Sequence, residues 1–485
     1  MPRRIAVGMK PKKIHEVEKF ARYVNRLTEV ISEEFDDFIG DIVDFGSGQN
    51  YLGRTLASPP YNKHVIAIER RHHVLEGGRK MDVHAKLAKK EKILRNKKEW
   101  KRLQKECEST PQIPPSGGDS VTDRLSEMIL DDGSGGIVSE TENEGLSGRG
   151  RMTYIEHDIQ NGYLDDILDP GYSCPEPVNT TATNEPEQDS HEESTISSAE
   201  NRRAGRMVIS LHSCGNLVHH GLRSLVLNSS VSAVAMIGCC YNLMTERLGP
   251  ASYKLPSLRP FHPRLESTSN AFDPHGFPMS HRLETFSHDF GTGLRLNITA
   301  RMMAVQAPYN WGPDDSEAFF RRHFYRALLQ RILLDVGVVD KPVDADGVVG
   351  GDLTGITASG SPLIVGSLRK AAFESFHSYA SAALSKLSLD PQYGNLVKTK
   401  TSSLTSADFS FYETKYAEHK KRLAVIWSLM AFSAGVVESI IAVDRWLFLK
   451  EQDCVEKCWV EPVFEYGWSP RNLVVVGVKK SAKKW

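Results

Sequence analysis

A short stretch near the start of the chain combines a carboxylate with two glycines at a spacing that can hold a polar ligand. The carboxylate is Asp44, and the glycines are Gly46 and Gly48. The apolar run before them predicts a buried strand of a parallel sheet. Glycines after such a strand allow a tight turn in which backbone amides approach a ligand with no Cβ in the way. This stretch therefore predicts a ligand site at the carboxyl end of the first strand.

Two classes of nucleotide site use such a turn. A dinucleotide site needs G-x-G-x-x-G, and Tyr51 stands where the third glycine belongs. The Asp-x-Gly-x-Gly pattern of Asp44, Gly46 and Gly48 resembles the turn of S-adenosylmethionine-dependent methyltransferases. The methionine end of that cofactor is a zwitterion, which suits backbone amides for its carboxylate and a side-chain carboxylate near its ammonium. We favour the methyltransferase interpretation and keep an NAD-dependent oxidoreductase as a third alternative.

Acidic residues end the next two predicted strands. Glu69 ends the strand at 63–69, about 20 residues past the turn, where nucleotide-binding folds hold ribose hydroxyls. Asp158 ends the strand in the segment 151–159, where an acidic residue in this fold usually meets the adenine amino group. Both residues are predicted to bind the cofactor together with the glycine turn.

Two further strands, predicted at 207–211 and 231–238, end in residues that can act on a substrate. His212 follows the first and Tyr241 lies just past the second. Since ligands bind at the carboxyl ends of parallel strands, both side chains are expected to face the cofactor. We predict that His212 and Tyr241 position the substrate or remove a proton.

Cysteines at the same two strand ends raise the question of a zinc site. Cys214, Cys239 and Cys240, with His212, could converge there. No C-x-x-C pair supports a zinc module, and small buried cysteines commonly line such edges. We therefore predict no metal site, and whether these residues bind a metal stays open.

Two groups of basic residues suggest contacts with anions. Lys12 and Lys13 lie in the first turn of a predicted helix, where the helix dipole disfavours cations, so an anion nearby or a solvated basic tip would explain them. The segment from Arg70 to Lys105 is helical in pattern and rich in Lys and Arg. It could contact RNA phosphates, with a solvated charged face as the alternative.

Composition limits the class of protein. The chain has 485 residues, 40% of them apolar, and a net charge of −1, so no global field attracts nucleic acid. Seven cysteines, an odd number, and the lack of an apolar signal peptide predict reduced thiols. A cytoplasmic or nuclear location is expected, not secretion.

The order of patterns predicts an α/β doubly wound sheet with an antiparallel last strand. Residues 10–242 would form the core, with disordered inserts at about 109–150 and 170–204. Residues 243–421 would form a helical insertion, with the clearest helices at 318–336 and 367–387 and polar loops around 343–360 and 387–406. Residues 422–485 would supply a core helix at 423–449 and a closing hairpin formed by 463–468 and 473–478. The helix at 423–449 is long enough for a membrane span, but its Glu438, Asp444 and Arg445 predict a buried position with no membrane.

Several motifs spread along the chain resemble one family, methyltransferase-like protein 25 and its paralogue, the ribosomal RNA adenine dimethylase domain-containing protein. They are the segments at 12–17, 44–49, 211–217, 238–241, 438–445 and 469–473. The resemblance implies a class I methyltransferase fold that binds S-adenosylmethionine. RNA or a ribosome-associated protein is the expected methyl acceptor. The alternative is a catalytically inactive methyltransferase fold that binds RNA or protein, and the oligomeric state is not predicted.

Overall fold

The computed structural model describes residues 1–35, 37–88, 150–168, 205–248, 273–289, 291–339 and 363–481. The inserts predicted at about 109–150 and 170–204 lie outside these ranges, apart from Gly150. The same is true of residues 89–105 of the basic segment and of the predicted loop at 343–360.

A seven-stranded sheet forms the centre of the protein. Its strands in chain order are β1 (Ile39–Phe45), β2 (His64–Glu69), β3 (Met152–Glu156), β4 (Gly205–Cys214), β5 (Val231–Cys240), β8 (Val455–Pro462) and β9 (Leu473–Lys479). Their spatial order is β3-β2-β1-β4-β5-β9-β8. The first five pair in parallel, and β9 inserts antiparallel between β5 and β8. This arrangement confirms the predicted fold class, a class I methyltransferase-like sheet with an antiparallel last strand.

Helices cover both faces of the sheet. Helix α1 (Pro11–Phe35) precedes the first strand, and the helices that follow the first four strands are α2 (Tyr51–Ala57), α3 (His72–Ala85), α4 (Asp165–Leu168) and α5 (Leu217–Leu227). Apolar residues at helical spacing on α1, such as Val17, Val24 and Ile31, are fully buried against one face of the sheet. Val218 and Leu222 of α5 pack on the other face. The sheet is thus buried on both sides, which explains its near-continuous apolar strands.

The region between β5 and β8 is mostly helical. It contains α6 (His281–Glu284), a two-residue β6–β7 pair (Ser287–His288 and Gly291–Thr292), α7 (Ile298–Ala304), α8 (Pro313–Asp335), α9 (Phe376–Leu387), α10 (Gly394–Thr401), α11 (Ser406–Lys415), α12 (His419–Phe432) and α13 (Ala434–Lys450). Helices α8, α9 and α11 enclose their own apolar core around Phe324, Phe376 and Phe409. The helix predicted at 367–387 begins only at Phe376, after a 3₁₀ turn at Lys370–Phe373, and the predicted loop at 387–406 contains α10.

The helix predicted at 423–449 is two helices, because the chain breaks at Ser433 between α12 and α13. By length and composition, His419–Lys450 is long and apolar enough to cross a membrane, and 28% of its most apolar window is buried. Burial is uneven: α13 packs on the sheet, whereas Val425, Ile426, Leu429 and Phe432 of α12 are between 54% and 66% exposed. The prediction of a continuous buried helix is therefore wrong for α12.

The charged residues of α13 are buried and paired. Asp444 accepts hydrogen bonds from the backbone amides of Met279 and Ser280 at 2.8 and 3.0 Å. Glu438 accepts one from Tyr241 Oη at 2.9 Å and one from Arg471 Nη1 at 2.8 Å. These contacts stabilise the charges inside the protein and attach α13 to the loops at the carboxyl edge of the sheet.

The predicted closing hairpin has one correct strand. Residues 473–478 lie in β9, but its partner β8 is Val455–Pro462, and the predicted partner at 463–468 is the connection between the two. An edge strand carries polar residues that face solvent, so β8 has a weak apolar signal. Phe464 of the connection is buried in the core, which gave that segment its strand-like pattern.

Candidate functional site

The glycine turn leaves β1 in a left-handed conformation. Gly46 and Gly48 have φ of 64° and 56°, values that side chains other than glycine rarely adopt. The amide of Ser47 donates to the carbonyl of Ile68 at 3.1 Å, which holds the turn against the end of β2. A Cβ on Gly48 would meet no atom within 4 Å, and the buried hydroxyl of Ser47 has no hydrogen-bond partner. The turn therefore borders open space with a polar group beside it.

A buried ion pair, which the sequence analysis missed, supports the helix after the turn. Arg54 Nε donates to Asp82 Oδ1 at 2.9 Å, and Arg54 Nη2 donates to the carbonyl of Gln49 at 3.0 Å. Asp82 Oδ2 accepts from Tyr154 Oη at 2.5 Å, and Tyr154 in turn accepts from Asn50 Nδ2 at 3.0 Å. This network joins α2, α3 and β3, so it fixes the backbone of residues 49 and 50.

Asp44, at the end of β1, is 3% exposed. Burial raises the pKa of its carboxyl to about 7, with the charge of Lys13 opposing and that of Glu69 adding to the shift. Burial likewise lowers the pKa of Lys13, and the nearby charges of Glu16 and Asp44 oppose that change. Lys13 in the first turn of α1 thus has anions nearby, as one interpretation of the sequence predicted.

Glu69 and Asp158 lie at the same edge, on neighbouring strands. Glu69 Oε2 accepts from the amide of Gly48 at 3.1 Å, and its Oε1 accepts from Arg71 Nε at 2.8 Å. Burial tends to raise the pKa of Glu69. The hydrogen bonds from Arg71 and from the amide of Gly48 outweigh burial and lower that pKa below its ordinary value. Asp158 follows β3, is half exposed, and lies 3.8 Å from Arg70 Nη1. The predicted cofactor residues therefore share the carboxyl ends of β1, β2 and β3.

His212 is held by α1 rather than by the cysteines. Its Nε2 lies 3.1 Å from Glu16 Oε2, and Glu16 Oε1 accepts from Ser469 Oγ at 2.7 Å. Burial raises the pKa of Glu16, but the hydrogen bond and charge of His212, with Ser469 and Lys12, lower it to about 2. The ring of His212 is 41% exposed, so it can reach a substrate while Glu16 orients it.

Tyr241 is buried, and its hydroxyl already has a partner. It donates to Glu438 Oε1, and the guanidinium groups of Arg445 and Arg471 lie 5.5 and 5.9 Å from its ring centroid. Burial, with the charge of Glu438, raises the pKa of Tyr241. A buried hydroxyl in an ion-pair network is poorly placed to remove a proton, so a positioning role suits Tyr241 better than a catalytic one.

Three thiols converge beside these residues. Cys239 Sγ lies 3.5 Å from Cys214 Sγ and 3.5 Å from Cys240 Sγ, and the three sulfurs lie within 4.8 Å of one another. His212, which the sequence placed with them, contacts Glu16 instead. The three cysteines thus converge, as their places at the ends of two neighbouring strands suggested.

Of the basic segment from Arg70 to Lys105, the structure describes only residues 70–88. Helix α3 ends at Ala85, and Lys86 adopts the left-handed conformation with φ of 63° that ends a helix. The prediction of one helix from Arg70 to Lys105 is therefore wrong at Lys86. Residues 89–105, which carry most of the lysines, lie outside the described ranges, so RNA contact there stays a prediction.

A cavity of about 580 Å³ lies away from these residues, along the exposed side of α13. Its walls include Leu283, Leu294, Phe432 and Ile440, and it gathers no charged side chains. A ligand site normally combines an apolar wall with a few convergent polar groups, so the carboxyl edge of the sheet is the better candidate.

The strand order, the glycine turn and the acidic residues at the strand ends define a methyltransferase domain of the class I α/β fold. Residues 12–247 match the family model described as "Methyltransferase domain". Over 97% of its length, the chain is similar to the human protein named "probable methyltransferase-like protein 25", at 23% identity across 75% of that protein. The mouse protein of the same name is 26% identical over 56% of this chain and 37% of its own length. The family resemblance read from the motifs is thus confirmed, whereas no solved structure matches.

Proposed function

We propose that the protein is an S-adenosylmethionine-dependent methyltransferase. The observation that carries this proposal is the hydrogen bond between the amide of Gly48 and Glu69, beside the open space at the turn. It brings the glycine turn after β1 and the acidic end of β2 together at one edge of the sheet. Residues 12–247, which contain both, match a methyltransferase domain.

The residues present suit the cofactor. The open space beside Gly48 would take the methionine end of the cofactor, and Asp44, at the start of the turn, would be the charge partner of its ammonium. Glu69 would accept from ribose hydroxyls, and Asp158, on the neighbouring strand, from the adenine amino group. A cluster of carboxylates also suits a cationic sulfonium better than the two phosphates of NAD. Tyr51, at the first position of α2, further disfavours the dinucleotide alternative.

Methyl transfer requires the protein mainly to orient the acceptor. S-adenosylmethionine supplies a methyl group that is already activated by its sulfonium, so the acceptor must be held in line with it. His212, oriented by Glu16 and partly exposed, can bind the acceptor, and in its neutral form it can take a proton as the methyl group transfers. Glu16 and Tyr241 would act through the residues that they hold in place.

The proposed acceptor is RNA or a ribosome-associated protein, and the lysines between Arg70 and Lys105 favour RNA. The alternative is a catalytically inactive module that keeps the fold for binding RNA or protein. The occupied hydroxyl of Tyr241 is the feature that favours it, since that residue is then purely structural.

Two experiments separate these functions. Calorimetry with S-adenosylhomocysteine and with NAD tests the cofactor, and transfer of labelled methyl groups into fractionated extract tests activity. We expect the sulfur nucleotide to bind and an RNA fraction to become labelled. Tighter binding of NAD would overturn the proposed class. Cofactor binding without any labelled fraction would support the inactive module.

A further inference from the structure

Cys214, Cys239 and Cys240 form a compact thiol group that the proposed methyl transfer does not use. Zinc binds thiolates at about 2.3 Å in tetrahedral geometry, which places the sulfurs about 3.8 Å apart. The two closest sulfur pairs here are 3.5 Å apart, and the third pair is within 4.8 Å. Shifts of no more than about 1 Å would bring all three sulfurs onto one ion.

The backbone explains how two consecutive cysteines reach the same partner. Neighbouring residues of a regular strand point to opposite faces of the sheet. Here the pairing of β4 with β5 shifts register: Ser213 lies opposite Gly238, and Cys214 opposite Cys240, so β5 carries one extra residue. Such bulges redirect side chains and are frequent beside active sites. The irregularity turns Cys239 and Cys240 toward Cys214.

Cations lie near the thiol group. Lys13 and Arg445 lie near Cys239, and Arg71 lies near Cys214. Three thiolates around a divalent ion carry a net charge of −1, which these cations balance. The three residues are present as thiols rather than as disulfides.

We propose that Cys214, Cys239 and Cys240 bind a zinc ion at the carboxyl ends of β4 and β5. Thiolates are soft ligands, and three of them select Zn²⁺ over the hard cations Mg²⁺ and Ca²⁺. Three protein ligands leave the fourth tetrahedral position for water or a bound molecule, which is the pattern of catalytic rather than structural zinc. Cys214 is exposed, so this position is accessible from solvent.

The test measures metal directly and does not need methyl transfer. The full chain, freed of metal by a chelator, is titrated with Zn²⁺ against a chromophoric competitor and separately with Co²⁺. We expect one strong site per chain and, with Co²⁺, the thiolate charge-transfer and intense visible bands of a tetrahedral ion. Cys239→Ser should weaken zinc binding by more than the roughly 10–100-fold loss that outer-shell changes cause.

Matched variants keep the result interpretable. Cys454→Ser removes a thiol outside the group and should leave zinc affinity unchanged. Cys214→Ser alters the exposed member and should weaken binding even if Cys239→Ser fails to fold. The proposal is overturned if the folded wild type binds no zinc, if both cluster variants retain wild-type affinity, or if mass spectrometry finds a Cys214–Cys239 disulfide in protein prepared under reducing conditions.

Discussion

Gly48 and Glu69 are joined by a hydrogen bond of 3.1 Å from the backbone amide of the glycine to Oε2 of the carboxylate. The bond couples the turn after β1 to the end of β2, so the two parts of the proposed cofactor site cannot move independently. Arg71 holds the other oxygen of Glu69. The site is therefore largely preformed, which lowers the entropic cost of binding a ligand there.

Gly48→Ala tests whether the cofactor binds in the open space beside the glycine turn. The methyl group would enter the open space beside the turn, and the left-handed φ of 56° costs about 1–2 kcal/mol for a residue with a Cβ. We expect S-adenosylhomocysteine affinity to fall about 10-fold or more, equivalent to about 1.4 kcal/mol, by calorimetry. Gly46 is the poorer position to test, since a Cβ there would lie 2.8 Å from Leu217 Cδ2.

Gly77→Ala is the control for that experiment. Gly77 lies within α3, faces open space and has no left-handed φ. The substitution should leave cofactor affinity unchanged and raise the free energy of unfolding by about 0.5–1 kcal/mol. Equal affinities of the two variants would place the ligand elsewhere.

Arg54→Met tests the network under the turn. It leaves Asp82 buried without its cation, and breaking a buried ion pair costs about 3–5 kcal/mol. The free energy of unfolding, measured in urea, should fall by that amount. Lys420→Met breaks a comparably short ion pair with Glu317 on the surface and should cost no more than about 1 kcal/mol. Similar losses in both variants would refute a special role for Arg54.

Glu16 predicts an acid-sensitive contribution to stability. Its pKa is about 2 in the folded protein, against 4.5 ordinarily, so its contribution is complete above about pH 5 and is lost as the pH falls toward 2. The shift corresponds to about 3 kcal/mol. Glu16→Gln should flatten the decline of unfolding free energy between pH 5 and pH 3. Glu33→Gln, at an exposed position of the same helix, should leave the decline as in the wild type.

The RNA proposal predicts a change in salt dependence. Replacing Lys89, Lys90, Lys97 and Lys98 with Gln should weaken RNA binding and reduce the slope of log affinity against log salt by about 0.7–0.9 per lost phosphate contact. Filter binding at several salt concentrations measures this slope. Replacing Lys398 and Lys400 of α10 is the control, and S-adenosylhomocysteine affinity should not change in either variant. An unchanged slope would favour a protein acceptor.

Carbonate extraction tests whether the apolar stretch His419–Lys450 spans a membrane. Helix α12 has 14 residues, fewer than the roughly 20 that a span needs, and α13 buries Glu438, Asp444 and Arg445. Moving each charge into lipid would cost about 2.5–3.5 kcal/mol. We expect carbonate to release the protein completely from any membrane fraction. Retention in the pellet would contradict the packing of α13 described here.

The sequence predicted the strands and the turn well because their signals are local. Buried strands such as β2 and β9 are nearly continuous apolar runs, and Gly46 and Gly48 mark the turn by spacing alone. The edge strand β8 was missed because its apolar pattern is interrupted by two exposed charged residues, Glu456 and Lys457. The exposure of α12 was missed because an apolar helix has the same sequence pattern whether or not another element covers it.

The site was predicted only where it follows directly from strand ends. Glu16 contacts His212 across 196 positions of sequence, and Arg54 contacts Asp82 across 28, so neither pair has a spacing signal. The convergence of the three cysteines was suggested by the strand ends, but the register shift that turns both Cys239 and Cys240 toward Cys214 has no periodicity signal. Lys13 did carry a hint, since a cation in the first turn of a helix is unfavourable without an anion nearby.

The position of β9 between β5 and β8 has a consequence for how the protein folds. During synthesis β5 is complete at Cys240, but its partner begins only at Leu473, after the entire helical region. Until then β5 presents an unpaired edge, which is prone to join with other chains. Pairing β5 with β9, which are far apart in sequence, also slows folding. The nascent chain is therefore expected to need protection of this edge, for example by a chaperone, until its last strands emerge from the ribosome.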